Sequence, residues 1–489
     1  MSIKPFSIEV KDKTKEKSHH FALYKEFEKI NLKQIEKDSN NGTQFTRLAR
    51  MKKQFLNLIN TKVLHKDNLN FKDNFKNQLL AFQGATRLLI IAGQCIGLNP
   101  FLGVLENDVS KIRFSAISFR HFYSLLICTI QIIGSVFSFV NLTKNGVSVT
   151  NLAYFNFYCT TCVTSILFLI LARRWQMLNK EVSLSRLDEY TDPYIRLKCV
   201  TAVVIILSLG LAEHILSAIS NFTLLMHCKD NIDNLLRDYV KDHFPWMFEL
   251  NRTEYNVVLG IFFMFINVVN AMNWNYSHVF IICISLYLTS LIEQVNKKLI
   301  SAEGQYLPSS FWKALREDYN RATRLVKTFD DYINSLILVG ATRLVKTFDD
   351  YINSLILVGF ASNLFFVCLR IYYVLAFRPF NGYEHVVYFA FSLAFVLSRS
   401  LAVSLIASKV HVASLEAAPT LYSVPSSVYC IEVQRFIEQV HGDTVALTGM
   451  NFFYVTRQLV LSVAGTIITY ELVMLQFNID SPGTDGVDN

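Results

Sequence analysis

Seven stretches of mostly apolar residues, at 118–140, 150–172, 199–223, 256–280, 351–376, 385–408 and 455–477, decide most of what this chain can become. Each is long enough, at about 1.5 Å of rise per residue, to cross a hydrocarbon core of about 30 Å. Lipid offers no partner for a backbone N–H or C=O, so a run of this kind crosses as a helix. The expectation is an all-α membrane protein with seven transmembrane helices. Composition agrees: 52% of the 489 residues are hydrophobic and the mean hydropathy is +0.30, which excludes an ordinary soluble two-domain protein. An eighth apolar stretch, Leu88 to Val104, is broken by Gly93, Gln94, Gly97, Asn99 and Pro100, and is read as a membrane-surface or partly inserted helix, with its linker over 81–117.

Charge orients the spans. The first 117 residues carry about 20 Lys and Arg, the segment 173–198 carries six and the segment 291–350 carries nine, whereas 141–149 has only Lys144 and 478–489 has none. Positive charge collects on the cytoplasmic side, so the N-terminus is expected in the cytoplasm and the C-terminus outside. The net charge of +8 follows this distribution and needs no nucleic acid. Three Asn-x-Ser/Thr sequons, at Asn141, Asn221 and Asn251, then fall in or beside external loops and are the candidate glycosylation sites. The N-terminal residues are charged, without the apolar centre of a cleavable signal.

The organisation that follows is a cytoplasmic, partly disordered segment at 1–80, four spans within 118–290 with an external loop at about 224–255, and cytoplasmic anchor helices over 291–350. Two more spans lie in 351–408, an amphipathic anchor helix in 409–454, the last span in 455–477 and an external tail in 478–489. The fourth span continues as a charged helix through Ser290 to Ile300, an extension suited to packing beneath a membrane. One anomaly interrupts this plan. Residues 322–340 are repeated without change at 341–359, and no other part of the chain has that period. If helical, the insertion adds about 28 Å of rise, leaving the apolar end of the first copy too short to span. The second copy runs straight into Phe360 and is expected to build span five.

The chemistry available is that of polar groups placed in lipid, where each needs a partner or a purpose. Glu213 and His214 on span three, Asn267, Asn270, Asn273, Trp274 and Asn275 on span four, Ser362 and Asn363 on span five, and Tyr388 and Arg399 on span six fall at similar depth. Carboxylates and amides exchange paired hydrogen bonds with vicinal hydroxyls, and aromatic faces cover the C–H face of a pyranose, so the mixture suits a sugar. The alternative is structural: Glu213 and Arg399 as a buried ion pair, the asparagines as ties between helices. Nothing points to an enzyme, a cofactor or a metal: there is no phosphate loop, zinc motif or nucleophile elbow, and Cys159 and Cys162 lie alone in an apolar run.

The last span carries Thr466, Tyr470, Val473 and Phe477 near one another on one face, with Gln476 beside them. Symmetric copies of such a helix could enclose a pore closed by an apolar ring. Aromatic residues also finish helices at membrane interfaces, so position alone leaves both readings open.

Thr469-Tyr470-Glu471-Leu472-Val473-Met474-Leu475-Gln476-Phe477 resembles the TYxxxxxQF signature that ends the seventh helix of insect gustatory receptors. Ala92 to Pro100, Lys111 to Phe114, Leu209 to His214, Trp274-Asn275, Val445 to Gly449 and Phe453 to Arg457 are similar to the sugar-receptor branch of that family, over roughly residues 80–477. The tandem copy departs from the family's pattern. The resemblance implies a sugar-gated, non-selective cation channel of chemosensory neurons in the plasma membrane, a homo-tetramer or a hetero-tetramer with related receptors, its pore lined by the seventh helices. It implies Gln476 and Phe477 as the gate, with Thr466, Tyr470 and Val473 in the pore, and Glu213, His214, Asn270, Trp274, Asn363 and Tyr388 as pocket candidates. The rival is a seven-helix receptor signalling through a G protein, which requires an external N-terminus and so conflicts with the charge asymmetry.

Overall fold

The chain divides into two compact units, Met1–Lys72 and Asp73–Asn489. The computed structural model describes residues 82–104, 112–228 except 147 and 186, 235–244, 255–334, 354–376, 383–449, 453–466 and 469, all in the second unit. These form helices α1 (82–95), α2 (Phe119–Asn145), α3 (Val149–Leu184), α4 (Ile195–Cys228), α5 (Leu235–His243), α6 (Val257–Ser301), α7 (Ser309–Asn334), α8 (Ser354–Ala376), α9 (Tyr383–Leu415), α10 (Ala417–Tyr422), α11 (Ile431–Gly442) and α12 (457–466). Two short antiparallel ladders pair Phe101–Leu102 with Arg113–Phe114, and Thr448–Gly449 with Phe453–Tyr454.

Among the described residues, five helices are long and apolar enough to cross a membrane: α2, α3, α4, α6 and α9. α8 falls where span five was expected, and α12 covers the start of span seven. Side-chain caps start several of them: Ser118 accepts from the His121 backbone N–H, Ser148 from that of Asn151, and Asn256 from that of Val258. In α4 only 17% of the apolar window is buried, and Val204, Ile205, Leu209 and Ile215 face outward. So much exposed apolar surface is what a lipid-facing helix carries.

α6 is the axis of the bundle. Its 45 residues pack against α4, α9 and α3, meet α2 through Gln131 and Asn270, and continue past the apolar stretch as the extension foreseen from Ser290 to Ile300. Beyond that window α7, α10 and α11 gather round the ends of α6 and α9. Ties there are polar: Asn296 donates to the Ala413 carbonyl at 2.8 Å, Tyr319 to that of Ser414 at 2.6 Å, and Asp330 accepts from the backbone and hydroxyl of Thr448, both at 2.9 Å. Tyr190, between α3 and α4, donates to Asp318 and accepts from Lys298 at 2.9 Å. Burial and the Asp318 carboxylate push the Tyr190 hydroxyl well above its ordinary value, so it stays a donor.

The segment read as a membrane-surface or partly inserted helix packs against the other helices. Phe82, Ala85, Leu89 and Ile90 of α1 are at most 1% exposed, and the Phe82 ring packs 4.8 Å from Tyr287 and 5.7 Å from both Trp175 and Phe329. Two of the residues that appeared to interrupt it, Gln94 and Asn99, make hydrogen bonds through their side-chain amides. Gln94 Nε2 donates to the carbonyls of Asn99 and Phe101, Arg120 Nη1 also donates to Phe101, and Asn99 Nδ2 donates to the Tyr276 hydroxyl. Gly93 is required by close approach: a Cβ there would meet the Tyr276 oxygen at 2.7 Å.

Among the described residues, the two copies of the duplicated segment contribute one unit between them. Copy one supplies Ala322–Asn334 to α7, where Leu325, Val326 and Phe329 are buried; copy two supplies Ser354–Gly359 to the start of α8. Together those pieces make one unit in register, and 335–353, one unit in length, lies outside the described residues. Deleting 335–353 gives the same sequence as deleting either copy. The shortened protein is expected to express and melt at or slightly above the temperature of the parent, since none of the packing above is lost and less chain must be ordered. A purified deletion variant that melted well below the parent would show the second copy to be structural.

Candidate functional site

The polar residues singled out by depth separate into three centres. In the first, Glu213 of α4 accepts from Arg370 Nη2 of α8 at 3.2 Å and from the Ser392 hydroxyl of α9 at 2.7 Å. Arg370 also donates to the Tyr388 hydroxyl at 2.7 Å and lies over the Tyr388 ring. The pair is partly open, with side-chain exposures of 14% for Glu213 and 21% for Arg370. Two helix turns from Glu213 along α4 and from Ser392 along α9, Ser220 and His385 meet at 2.6 Å. His214 is half-buried on α4 beside Glu213.

The second centre surrounds Arg399, 2% exposed. Its guanidinium donates to Asn275 Oδ1 of α6 and, at 3.0 Å, to Asn363 Oδ1 of α8, and lies 3.9 Å above the Trp274 ring. The ion pair considered between Glu213 and Arg399 is therefore not formed: Glu213 is taken by Arg370, and Arg399 is held by two neutral amides and an indole face. Arg370 was missed in the sequence because charge near the end of an apolar run looks like an ordinary interfacial residue. Gly210 of α4 allows the arrangement, because a Cβ there would lie 2.6 Å from Asn275 Nδ2. Gly210→Ala is expected to push Asn275 off Arg399 and destabilise the protein by about 1–3 kcal/mol, the usual overpacking range. Thermal melting of the purified variant checks this; an unchanged melting temperature would show that Asn275 moves freely.

The third centre joins α6 to α2 and α3. Gln131 donates to Asn270 at 2.8 Å, and Asn273 donates to the Thr161 carbonyl at 3.2 Å and the Ser165 hydroxyl at 2.8 Å. Asn270 thus stands apart from the pocket candidates Glu213 and Tyr388, which share Arg370, and from Trp274 and Asn363, which share Arg399.

A cavity of about 170 Å3 opens between α3, α6 and α8, lined by Ala153, Tyr154, Phe157, Tyr158, Asn267 and Phe366. Aromatic residues inside an apolar run gave no signal of it in the sequence. Phe366 also packs, tilted, at 4.7 Å from Trp274, so one ring separates the cavity from the indole beneath Arg399.

Of the pore candidates, Thr466 is exposed on α12 and donates to the Ser462 carbonyl at 2.9 Å. Tyr470, Val473, Gln476 and Phe477 lie outside the described residues, as does the sequon at Asn251. Asn221 is half-buried on α4. Asn141 lies within α2, 7% exposed, and its amide nitrogen donates to Asn151 at 3.2 Å.

The architecture is a helical bundle with apolar outer faces, buried polar ties and a packed polar end, a fold shared with a solved insect receptor. The olfactory receptor OR5 of Machilis hrabei, solved in complex with eugenol, superposes with a TM-score of 0.55 at 15% identity, over 80% of this chain and 97% of that one. The Trehalose receptor family matches residues 49–343 and 340–485, two stretches that meet within the duplicated segment. Among curated relatives, the Drosophila melanogaster gustatory receptor for sugar taste 64f is 32% identical over 416 residues, 84% of this chain and 83% of that one. Gustatory receptor 5a for trehalose from the same species is 30% identical over 413 residues, 83% and 87% of the two chains. The chain belongs to the trehalose receptor family of gustatory receptors.

Proposed function

We propose that this protein is a sugar receptor that opens a non-selective cation pore on binding its ligand, working in the plasma membrane as a homo-tetramer or with related gustatory subunits. The polar end with α7, α10 and α11 lies in the cytoplasm with the N-terminus, and the last helix runs outward to the C-terminus. Four such helices line the pore, closed by Gln476 and Phe477.

The observation that carries the reading is the partly open centre of Glu213, Arg370, Tyr388 and Ser392, contributed by three different helices. A carboxylate, a guanidinium fork and two hydroxyls give both acceptors and donors for vicinal hydroxyl groups. A sugar that replaces the Glu213–Arg370 contact draws on α4, α8 and α9 together. It shifts the pore only by the amount that it prefers the open arrangement.

Whole-cell recording from cells expressing the chain, alone and with a related gustatory subunit, across a panel of sugars tests this. Sugar-evoked cation current independent of intracellular GTP is expected. Glu213→Gln and Arg370→Gln should each raise the EC50 about tenfold or more while surface expression holds. Current that requires GTP would favour G-protein signalling, and unaltered dose-response curves would return Glu213 and Arg370 to a structural role.

A further inference from the structure

We propose that the cationic corner where the strand Arg113–Phe114 meets the start of α2 and the end of α3 holds an anionic phospholipid by its headgroup. The strand packs on α3, with Gln176 Nε2 donating to the Ile112 carbonyl at 3.4 Å, and touches α2, where the Phe114 ring meets the His121 ring edge-on at 5.0 Å. Arg113, between Ile112 and Phe114, is exposed at that junction. α2 and α3 run antiparallel in a register fixed by two contacts, Gly134 with Tyr158 and Asn141 with Asn151. Counting residue for residue from those contacts puts Arg173, also exposed, level with Phe119, and Arg174 level with Ser118. Arg120 stands beside them and donates through Nη1 to the Phe101 carbonyl at 2.6 Å, a neutral acceptor that leaves its charge in place. Cations from three elements thus converge.

The protein supplies little negative charge to balance them. Residues 82–180 hold eight Lys and Arg but only two acids, Glu106 and Asp108, which lie in the connection between the two strands, outside the described residues. The same corner carries apolar surface: Ile117, Phe119 and Phe122 are 92%, 85% and 67% exposed. Positive charge alone would orient the spans without any such surface beside it. A phospholipid uses both features, its headgroup against the arginines and its acyl chains along the apolar side chains of α2. A soluble anion would use only the first, and would leave the two phenylalanine rings in water. With the topology proposed above, the corner faces the cytoplasmic leaflet, the one that carries anionic lipid.

The test titrates the purified full chain in detergent with dioleoyl phosphatidylserine or dioleoyl phosphatidylcholine and reads binding from the rise in melting temperature. The serine lipid is expected to bind about tenfold or more tightly than the choline lipid, since each cation near an anionic headgroup contributes about fivefold. In Arg113→Gln/Arg173→Gln the preference falls to about twofold or less. Lys144→Gln, which removes one charge from the opposite end of α2, keeps it. Glycerophosphoserine, the same headgroup without chains, gives no rise at the same concentration. Equal binding of the two lipids by the parent, or an undiminished preference in the double variant, overturns the proposal. So does an equal loss in Lys144→Gln, which would show attraction by net charge, or a rise with glycerophosphoserine that matches the lipid, which would show a site for soluble anions. Should the double variant not fold, Arg113→Gln and Arg173→Gln are each read for a loss of about fivefold. The choice of leaflet rests on the proposed topology, but the titration does not: an N-terminal epitope accessible on intact cells would overturn the leaflet while the titration still decides the lipid site.

Discussion

Replacing Arg399 with leucine is expected to leave the folded protein nearly as stable as the parent while reducing the sugar-evoked current about tenfold or more. Two opposing terms decide the stability. The change loses two hydrogen bonds from a charged donor, about 1.5–3 kcal/mol each, and a cation–π contact of about 2 kcal/mol. It also removes a cation that is 2% exposed and has neutral amides as its hydrogen-bond acceptors, returning a desolvation cost of several kcal/mol. These largely offset.

Coupling has no such offset. Arg399 on α9 is the shared partner of Asn275 on α6 and Asn363 on α8. Without it the three helices lose their common tie, and coupling of about 1–3 kcal/mol corresponds to about 5–150-fold in apparent affinity. Lysine does not substitute, because a compact ammonium cannot reproduce the planar fork across two amides while lying on the indole face. Recording with parallel melting curves checks this. If Arg399 acts as a tie, Asn275→Leu and Asn363→Leu reproduce its phenotype. If Arg399→Leu alone fails while both asparagine variants respond normally, Arg399 contacts the ligand instead. A sharp fall in melting temperature would show that stability, not coupling, is its role.

How much of this was legible in the chain follows from what linear order encodes. Hydrophobic length located α2, α3, α4, α6, α8 and α9, because twenty apolar residues satisfy lipid in only one way. In α1 it was less informative, because Gly93, Gln94 and Asn99 looked like breaks; Gln94 is satisfied locally by the Asn99 and Phe101 carbonyls, but the Tyr276 hydroxyl that meets Asn99 and crowds Gly93 is distant in sequence and leaves no local pattern. Depth was legible for Glu213, Asn275, Asn363 and Arg399, since rise along a helix is a count of residues. Azimuth was not. Whether Glu213 meets Arg399 or Arg370 depends on how α4, α8 and α9 rotate against one another, which is set by close contacts such as that of Gly210 with Asn275. Cavities are the least legible of all, because Phe157 and Phe366 line one only through shapes their neighbours fail to fill. The duplicated segment shows the converse: the two copies are identical in sequence, and only the surroundings place Phe329 in the core.

Phe477→Ala carries the other large expected effect, a standing current without sugar that approaches the sugar-evoked current of the parent. In the proposed tetramer four phenylalanine rings close the outer mouth, and a narrow apolar ring blocks ions by excluding water, without needing to touch them. Alanine widens the ring and lowers its apolar area, so water enters and the barrier to a hydrated cation falls. Gln476, one residue earlier, presents amides at the same mouth, and Gln476→Ala should change the preference among cations more than the resting current. The competing role for Phe477 is an interfacial anchor at the end of the last span, where aromatic rings are favoured for their own sake. An anchor predicts the reverse pattern: lower surface expression, no resting current and unchanged selectivity. Membrane conductance measured before any sugar is applied, normalised to surface protein, separates the two, and a resting current equal to that of the parent would remove Phe477 from the gate.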